Sequence, residues 1–383
     1  MPVAAPRSIR PTQVEIDLGA VRSNAARLAR LAGVDLFAVV KADGYGHGAV
    51  AIARALEGQP GVAGFAVSLV EEGSQLRDAG IRAPILVMGP ALDGGEDEIV
   101  GRSLWPLVTD PGDLERLAEL GRRRGAPVPI HLKLDTGMGR LGIQPDAAVA
   151  LLTRAGAGIV LDGVATHFAC AETDHPDDAD CLTNRQLAGL DRALAALRAD
   201  GFAPRLVHAA NSAGTIRFPA ARRDRVRCGI AVYGNGVAPP GEALAQAMRL
   251  VTHVAQLRVV PAGSTVSYGA LWRATRETRA AILPVGYADG FSRRLTGAAQ
   301  VLIGGRRCPV IGAISMDITV ADVTALGDAV AMGDEAVLLG AQGDELITVA
   351  DVAAQSGVVE YEVTCGVSKR VPRVYAGGAG GNR

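Results

Sequence analysis

Three lysines, Lys41, Lys133 and Lys369, stand among the 39 basic side chains of this 383-residue sequence; the others are arginine. Wherever a positive charge alone would serve, the chain uses arginine. A lysine kept against that bias points to work that arginine cannot do: an amine that sheds its proton and forms a Schiff base. Lys41 sits in AVVKADGYGHG (38–48), directly after an apolar run and ahead of a glycine-rich turn that also carries Tyr45 and His47. Lys133 and Arg140 share HLKLDTGMGRLG (131–142), and His167 closes another apolar run. Asn211 and Ser212 follow in VHAANSAGT (207–215), and Arg227, Gly229 and Ile230 in RVRCGIAVYG (225–234). His131 and His253 read as structural hydrogen-bonding residues.

Something must bring these distant residues to one place. Short apolar runs alternate with helical segments from about residue 17 to about residue 235. The runs are 36–41, 64–69, 83–89, 104–109, 129–135, 162–168, 205–211 and 225–234. Between them, Asp17 reads as the N-cap of a helix with Val21, Ala25, Leu28 and Ala29 on one face. Leu187, Leu190, Leu194 and Leu197 mark another helix over 184–200. Eight strands alternating with helices predict a (β/α)8 TIM-type barrel over residues 12–245. A doubly wound sheet is the rival, but it gives no reason for the count of eight. After about residue 245 glycine turns join short strands, with one helix near 348–356. This predicts a mostly antiparallel β domain over 246–376 and a flexible tail over 377–383.

In such a barrel the chemistry lies at the C-terminal strand ends, where Lys41, Tyr45, His47, Lys133, Arg140, His167, Asn211, Ser212, Arg227, Gly229 and Ile230 fall. The loops after strands seven and eight often hold a phosphate. Ser212 offers a hydroxyl there, and Gly229 lets backbone N–H groups approach an anion. A Schiff-base lysine and a phosphate cradle on one face point to pyridoxal phosphate.

Bulk composition narrows the field further. A net charge of −1 leaves no basic surplus for nucleic acid. No apolar stretch approaches the ~20 residues of a membrane span, and the N-terminal residues have no signal-peptide pattern. Five cysteines, Cys170, Cys181, Cys228, Cys308 and Cys365, form no CxxC pair, which predicts neither a disulfide framework nor a metal site. The expectation is a cytoplasmic enzyme.

Across nearly its whole length the sequence resembles the alanine racemases, a pyridoxal-phosphate family with a barrel and a C-terminal β domain. The motifs carrying the likeness are AVVKADGYGHG, HLKLDTGMGRLG, ATHFACA, HAANSA, RCGIAVYG, VSYG (266–269), VGYADG (285–290), AISMD (313–317) and RVPRVY (370–375). The resemblance implies that Lys41 carries the cofactor and is one of two catalytic bases. Tyr268 is then the second base, reaching the site from the partner subunit of a homodimer. Arg140 would bind the substrate carboxylate, helped by the backbone at Met316. Tyr45, Ser212, Gly229 and Ile230 would hold the phosphate, with Asn211 beside them. His167 would lie against the pyridine ring and Arg227 would face the ring nitrogen. Lys133 matches a lysine often carbamylated in the family, bracing Arg140. His208, Tyr287, Asp317 and Lys369 would surround these groups.

The implied chemistry is consistent. Racemisation removes a proton from one face of Cα and returns it on the other, so two bases must flank the substrate. A tyrosine can serve one face where neighbouring cations favour its phenolate. Arginine, a donor only, would leave the ring nitrogen unprotonated, which limits carbanion build-up and transamination. A decarboxylase of similar fold is disfavoured by Arg227 and by the Tyr268 segment. A non-catalytic cofactor carrier would need neither Tyr268 nor Arg140. A racemase of the same fold acting on serine, lysine or several amino acids is the nearer alternative. Two departures from the family stand out: Lys369 occupies the place of a phosphate-contacting tyrosine, and Ser315 that of a frequent cysteine.

Overall fold

The computed structural model describes residues 9–92, 94–241 and 243–377. Its contacts divide the chain into one unit over Ala20–Ala245 and another formed by the residues up to Gly19 with those from Gln246.

The first unit contains the eight expected parallel strands: β1 Leu36–Val39, β2 Val62–Val67, β3 Ile85–Val87, β4 Trp105–Val108, β5 Val128–Lys133, β6 Ile159–Ala165, β7 Leu206–His208 and β8 Val226–Cys228. From β1 to β7 each pairs with its neighbour in chain order, and β8 pairs onto β1 through Leu36↔Val226 and Phe37↔Arg227. A single parallel bridge, His208↔Arg225, links β7 towards β8. Strands covered on both faces are mostly apolar, and β1, β3, β7 and β8 are buried throughout, with His208 and Arg227 their polar exceptions. The helix Leu18–Ala32 buries Val21, Ala25 and Leu28 as its period demands. The helix Leu182–Ala199 buries Leu187, Leu190, Leu194 and Leu197 in the same way.

The apolar runs overshoot the strands at their C-terminal ends. Residues just past β1, β6 and β7 stay apolar because they remain covered, yet they have left the ladder. Those overhangs carry Lys41, His167 and Asn211. In β8 the break comes at Gly229, after which a 3₁₀ turn, Ile230–Tyr233, replaces the expected continuation of the strand.

The second unit is mostly antiparallel. Its main sheet runs, in spatial order, Arg306–Pro309, Gln300–Ile303, Glu335–Gln342, Met248–His253, Gln13–Asp17 and Arg373–Ala376, with Glu345–Ile347 beside Glu335–Gln342. Gln13–Asp17 corrects the expected start of the barrel at residue 12. It pairs antiparallel with Met248–His253 and parallel with Arg373–Ala376. The alternation of buried Val14 and Ile16 with more open neighbours is a strand period, and it serves this sheet. The helix Val349–Ser356 falls where expected, and a second one, Glu360–Cys365, follows it. The tail expected over 377–383 lies, apart from Gly377, outside the described residues.

Candidate active site

Lys41 opens a left-handed turn. Ala42, Asp43, Gly44, Tyr45 and Gly46 have φ of 51°, 53°, 62°, 53° and 81°. Three of these residues carry a Cβ, and each costs about 1–2 kcal/mol in this region. The surroundings hold them there. Glu72 accepts the Ala42 N–H at 2.6 Å and, through its other oxygen, those of Ser68 (2.8 Å) and Leu69 (3.0 Å). Asp43 Oδ1 caps Ala49 N at 2.9 Å, and Gly48 N returns to Asp43 O at 2.8 Å. Strain maintained in this way is characteristic of functional turns. It swings Tyr45 inward, where its ring lies 5.2 Å from that of Tyr233, itself fastened by Oη to Val39 O at 3.0 Å.

Tyr45 meets the loop after β8. A Cβ on Gly229 would fall 2.3 Å from Tyr45 Oη, so only glycine lets the phenol reach this backbone. Ser212 Oγ accepts the N–H groups of Gly229 (3.0 Å) and Ala231 (3.4 Å), leaving its own O–H as a donor. Asn211 holds the preceding corner by accepting Gly214 N at 2.8 Å. Tyr45, Ser212, Gly229 and Ile230 thus border one small cradle of donors.

The opposite side of the face is cationic. Lys133, at the end of β5, is driven down from 10.5 to about 8 by burial, then by Arg227, Arg140 and Lys41, against the opposing pull of Asp135. Asp135 accepts the N–H groups of Gly137 (3.0 Å), Met138 (2.8 Å) and Gly139 (3.1 Å), fixing the loop that presents Arg140. His167 is held neutral, well below its ordinary range, by burial and then by Arg227, Lys133, Arg140 and Lys41. So many like charges around one mouth call for an anionic occupant.

Arg227 is buried, and burial lowers its guanidinium to about 10. Nη1 bonds His208 Nδ1 at 2.8 Å and donates to His208 O at 2.6 Å. Nη2 donates to Thr166 O (2.7 Å) and Ala209 O (3.0 Å) and lies 3.3 Å from His167 Nδ1. Nε is left with no acceptor among the described residues. The donor set therefore fits pyridoxal phosphate: a cradle for the phosphate, an uncommitted Nε–H for a ring nitrogen, and a lysine beside both.

The remaining candidates belong to the second unit. Tyr268 is 68% exposed on a turn whose neighbours Ser267, Gly269 and Ala270 have φ of 64°, 73° and 48°. Ser267 Oγ pins that turn to Ala313 O at 2.6 Å. Tyr287 and Met316 lie on two loops laced together by Tyr287 N to Ser315 O (3.0 Å) and Ala288 N to Met316 O (3.1 Å). Ser315 closes its own turn through Oγ, accepting Ile318 N at 3.1 Å and donating to Ile318 O at 2.9 Å. Beneath these loops Asp289 is fully buried between Arg10 (2.7 and 2.9 Å) and Arg370 (2.6 Å). Arg370 also pairs with Asp317, and Lys369 beside it is exposed. Sequence reasoning missed Glu72, Asp135 and Asp289, three carboxylates that position backbone. Asp135 and Asp289, inside the motifs HLKLDTGMGRLG and VGYADG already singled out, offered a signal; Glu72 offered none.

The fold and its lysine-bearing, cation-lined face define a barrel enzyme. The chain belongs to the alanine racemase family: the model of the alanine racemase N-terminal domain matches residues 16–236, and that of the C-terminal domain residues 247–375. It is 43% identical to the alanine racemase of Sorangium cellulosum over 96% of this chain and 99% of the relative. It is 45% identical to that of Symbiobacterium thermophilum over 96% and 98%. Among solved structures it is similar to the alanine racemase of D-cycloserine-producing Streptomyces lavendulae, with TM-score 0.88, 35% identity, and 97% and 98% of the two chains covered. The Bacillus anthracis alanine racemase with bound L-Ala-P gives TM-score 0.86 at 34% identity, covering 97% and 96%. The expected family, barrel fold and isomerase class stand. These relatives lend no support to the alternative of a racemase for another amino acid.

Proposed function

We propose that this enzyme interconverts L- and D-alanine in the cytoplasm by a two-base mechanism dependent on pyridoxal phosphate, supplying D-alanine for peptidoglycan. Tyr45, Ser212 and the backbone at Gly229 and Ile230 would hold the phosphate, with Asn211 shaping the corner. His167, kept neutral, would lie against the ring, and Arg227 would offer Nε–H to the ring nitrogen. When bound, the cofactor supplies the electron-withdrawing ring that acidifies the substrate Cα–H.

The chain's own residues do the rest. Lys41 carries the cofactor and moves a proton on one face of Cα. Tyr268 of the partner subunit in a homodimer serves the other face. Arg140 pairs with the substrate carboxylate, with the backbone at Met316 assisting, and so fixes which faces the bases meet. Arg227 has no acceptor lone pair and delivers no proton to the ring nitrogen. Lys133, partly neutral near pH 8, is nucleophilic enough to take up carbon dioxide as a carbamate. That change would turn a repelling cation into an anion bracing Arg140. Among the described residues no helix is long and apolar enough to cross a membrane.

The observation that carries this reading is the convergence of Lys41, the Tyr45–Gly229–Ser212 cradle and Arg227 Nε on one barrel mouth. The test is a chiral L-to-D assay over a panel of amino acids, followed by borohydride reduction and peptide mapping. Alanine should be preferred and the pyridoxyl group should sit on Lys41. Label on Lys133 or Lys369, or a preference for serine or lysine, would overturn it.

A further inference from the structure

His131 reads from sequence as an ordinary core histidine, yet the barrel is rebuilt around it. A Cβ on Gly163 of β6 would fall 2.2 Å from His131 Nδ1, so β6 gives up a side chain to admit the ring. The β5–β6 pairing also shifts register between Ile130 and His131. Trp105 stacks on His131 with centroids 5.3 Å apart and planes 24° apart, and Phe37 meets His208 edge-on at 5.9 Å. Inside this apolar sleeve His131 Nδ1 lies 2.8 Å from His208 Nε2, and His208 Nδ1 lies 2.8 Å from Arg227 Nη1. On its other side His131 Nε2 lies 3.6 Å from Asp162 Oδ2, a charge contact rather than a full hydrogen bond. Asp162 is gripped by Arg205 at 2.9 and 2.7 Å, and Arg205 also covers Trp105 at 5.9 Å. A polar line therefore runs from Arg205, just ahead of β7 at the N-terminal end of the barrel, to Arg227 at the catalytic face.

We infer that His131 and His208, with the Asp162 charge facing His131, form a one-directional polar array that fixes the orientation and the charge of Arg227. The direction follows from donor counting. Guanidinium only donates, so His208 Nδ1 must accept and its hydrogen sits on Nε2. That hydrogen is donated to His131 Nδ1, so the His131 hydrogen sits on Nε2, facing Asp162. The charges agree: the His131 contact, then Arg205, hold Asp162 well below the usual carboxylate range. Burial, then Arg227 and His131, keep His208 neutral. Each imidazole thus turns its lone pair towards Arg227 and its hydrogen away. A proton added at His208 Nδ1 would break the contact with Arg227. The array keeps a buried guanidinium charged and commits Nη1, which leaves Nε–H for the cofactor; this last consequence rests on the function proposed above. Asp162, His131 and His208 are positioning residues, acting only through Arg227.

The test is ¹⁵N NMR of the histidine rings in the full-length chain, cofactor-free and loaded, with two variants. Both His131 and His208 should show the Nε2–H tautomer in both states. His131→Gln keeps one acceptor and one donor in the same order, whereas His131→Leu keeps neither. In His131→Leu, His208 should keep its Nε2–H tautomer but lose the acceptor of that hydrogen, seen as an upfield shift of the Nε2–H proton, and kcat should fall about tenfold with KM little changed. His131→Gln should restore the hydrogen-bonded shift and most of kcat. An Nδ1–H tautomer at either histidine in the unmodified chain overturns the array. So does a folded His131→Gln protein as impaired as the leucine variant, which would mean that ring packing alone matters. Should the leucine variant fail to fold, the tautomers of the unmodified chain decide. The tautomer result is independent of where borohydride places the label, so failure of the array and failure of the proposed function are separable.

Discussion

Placing a methyl group on Gly229 should loosen the hold on the cofactor phosphate by displacing the Tyr45 hydroxyl. An ideal Cβ there lies 2.3 Å from Tyr45 Oη and 2.9 Å from Cζ, about 1 Å inside normal contact. Tyr45 has little room to retreat. It is buried against Tyr233 at 5.2 Å and sits on a backbone turn already strained at φ 53°. The phenol must therefore leave the cradle, removing one hydrogen bond to a charged acceptor, worth roughly 1.5–3 kcal/mol. The apparent Kd for pyridoxal phosphate should rise by about one to two powers of ten. Rebinding to cofactor-stripped protein, followed by absorbance, measures this. Tyr45→Phe removes the hydroxyl alone and should give a loss of similar size. The double variant should fall short of the sum, because both changes remove one interaction. Unchanged affinity in a folded Gly229→Ala protein would refute the placement of Tyr45 at the phosphate.

Lys133 should impose a stability cost that depends on pH. Its charged form is disfavoured in the fold, so the cost is full below about pH 8 and fades as pH rises towards 10.5. Allowing for solvent screening, Lys133→Met should stabilise bicarbonate-free protein by about 2 kcal/mol at pH 7 and much less at pH 10, and a pH-independent effect would contradict this. Tyr268→Phe should slow solvent deuterium exchange from one alanine enantiomer by at least about tenfold more than from the other, as expected of a base serving a single face. Mixing it with Lys41→Ala protein should restore some activity by subunit exchange, and none after demonstrated exchange would rule out shared sites. Lys369→Ala should weaken cofactor retention by about one to two powers of ten if its amine lies near the phosphate. Unchanged retention would assign that side chain to solvent.

What a sequence of this kind makes legible depends on how local the cause is. The eight strands could be read because each is largely buried and so mostly apolar over its own few residues. Lys41 could be read because lysine is rare in this chain. The partner of Gln13–Asp17 could not, since its neighbours are Met248–His253 and Arg373–Ala376, and no local pattern records a pairing over such distances. The segment after Lys41 reads as a glycine-rich turn, yet Ala42 and Asp43 are left-handed as well, held in part by Glu72, 30 residues beyond Ala42. His131 marks the limit most sharply. Two residues ahead of Lys133 on β5, it shares that lysine's side of the strand by the period of two alone. Its use depends on a missing side chain at Gly163 and on His208, 77 residues away. A lone histidine on an apolar strand is rightly taken as structural until its second nitrogen is accounted for. Here that nitrogen faces a carboxylate that is itself held by an arginine, and the hydrogen direction this imposes ends on the residue that would meet the cofactor ring.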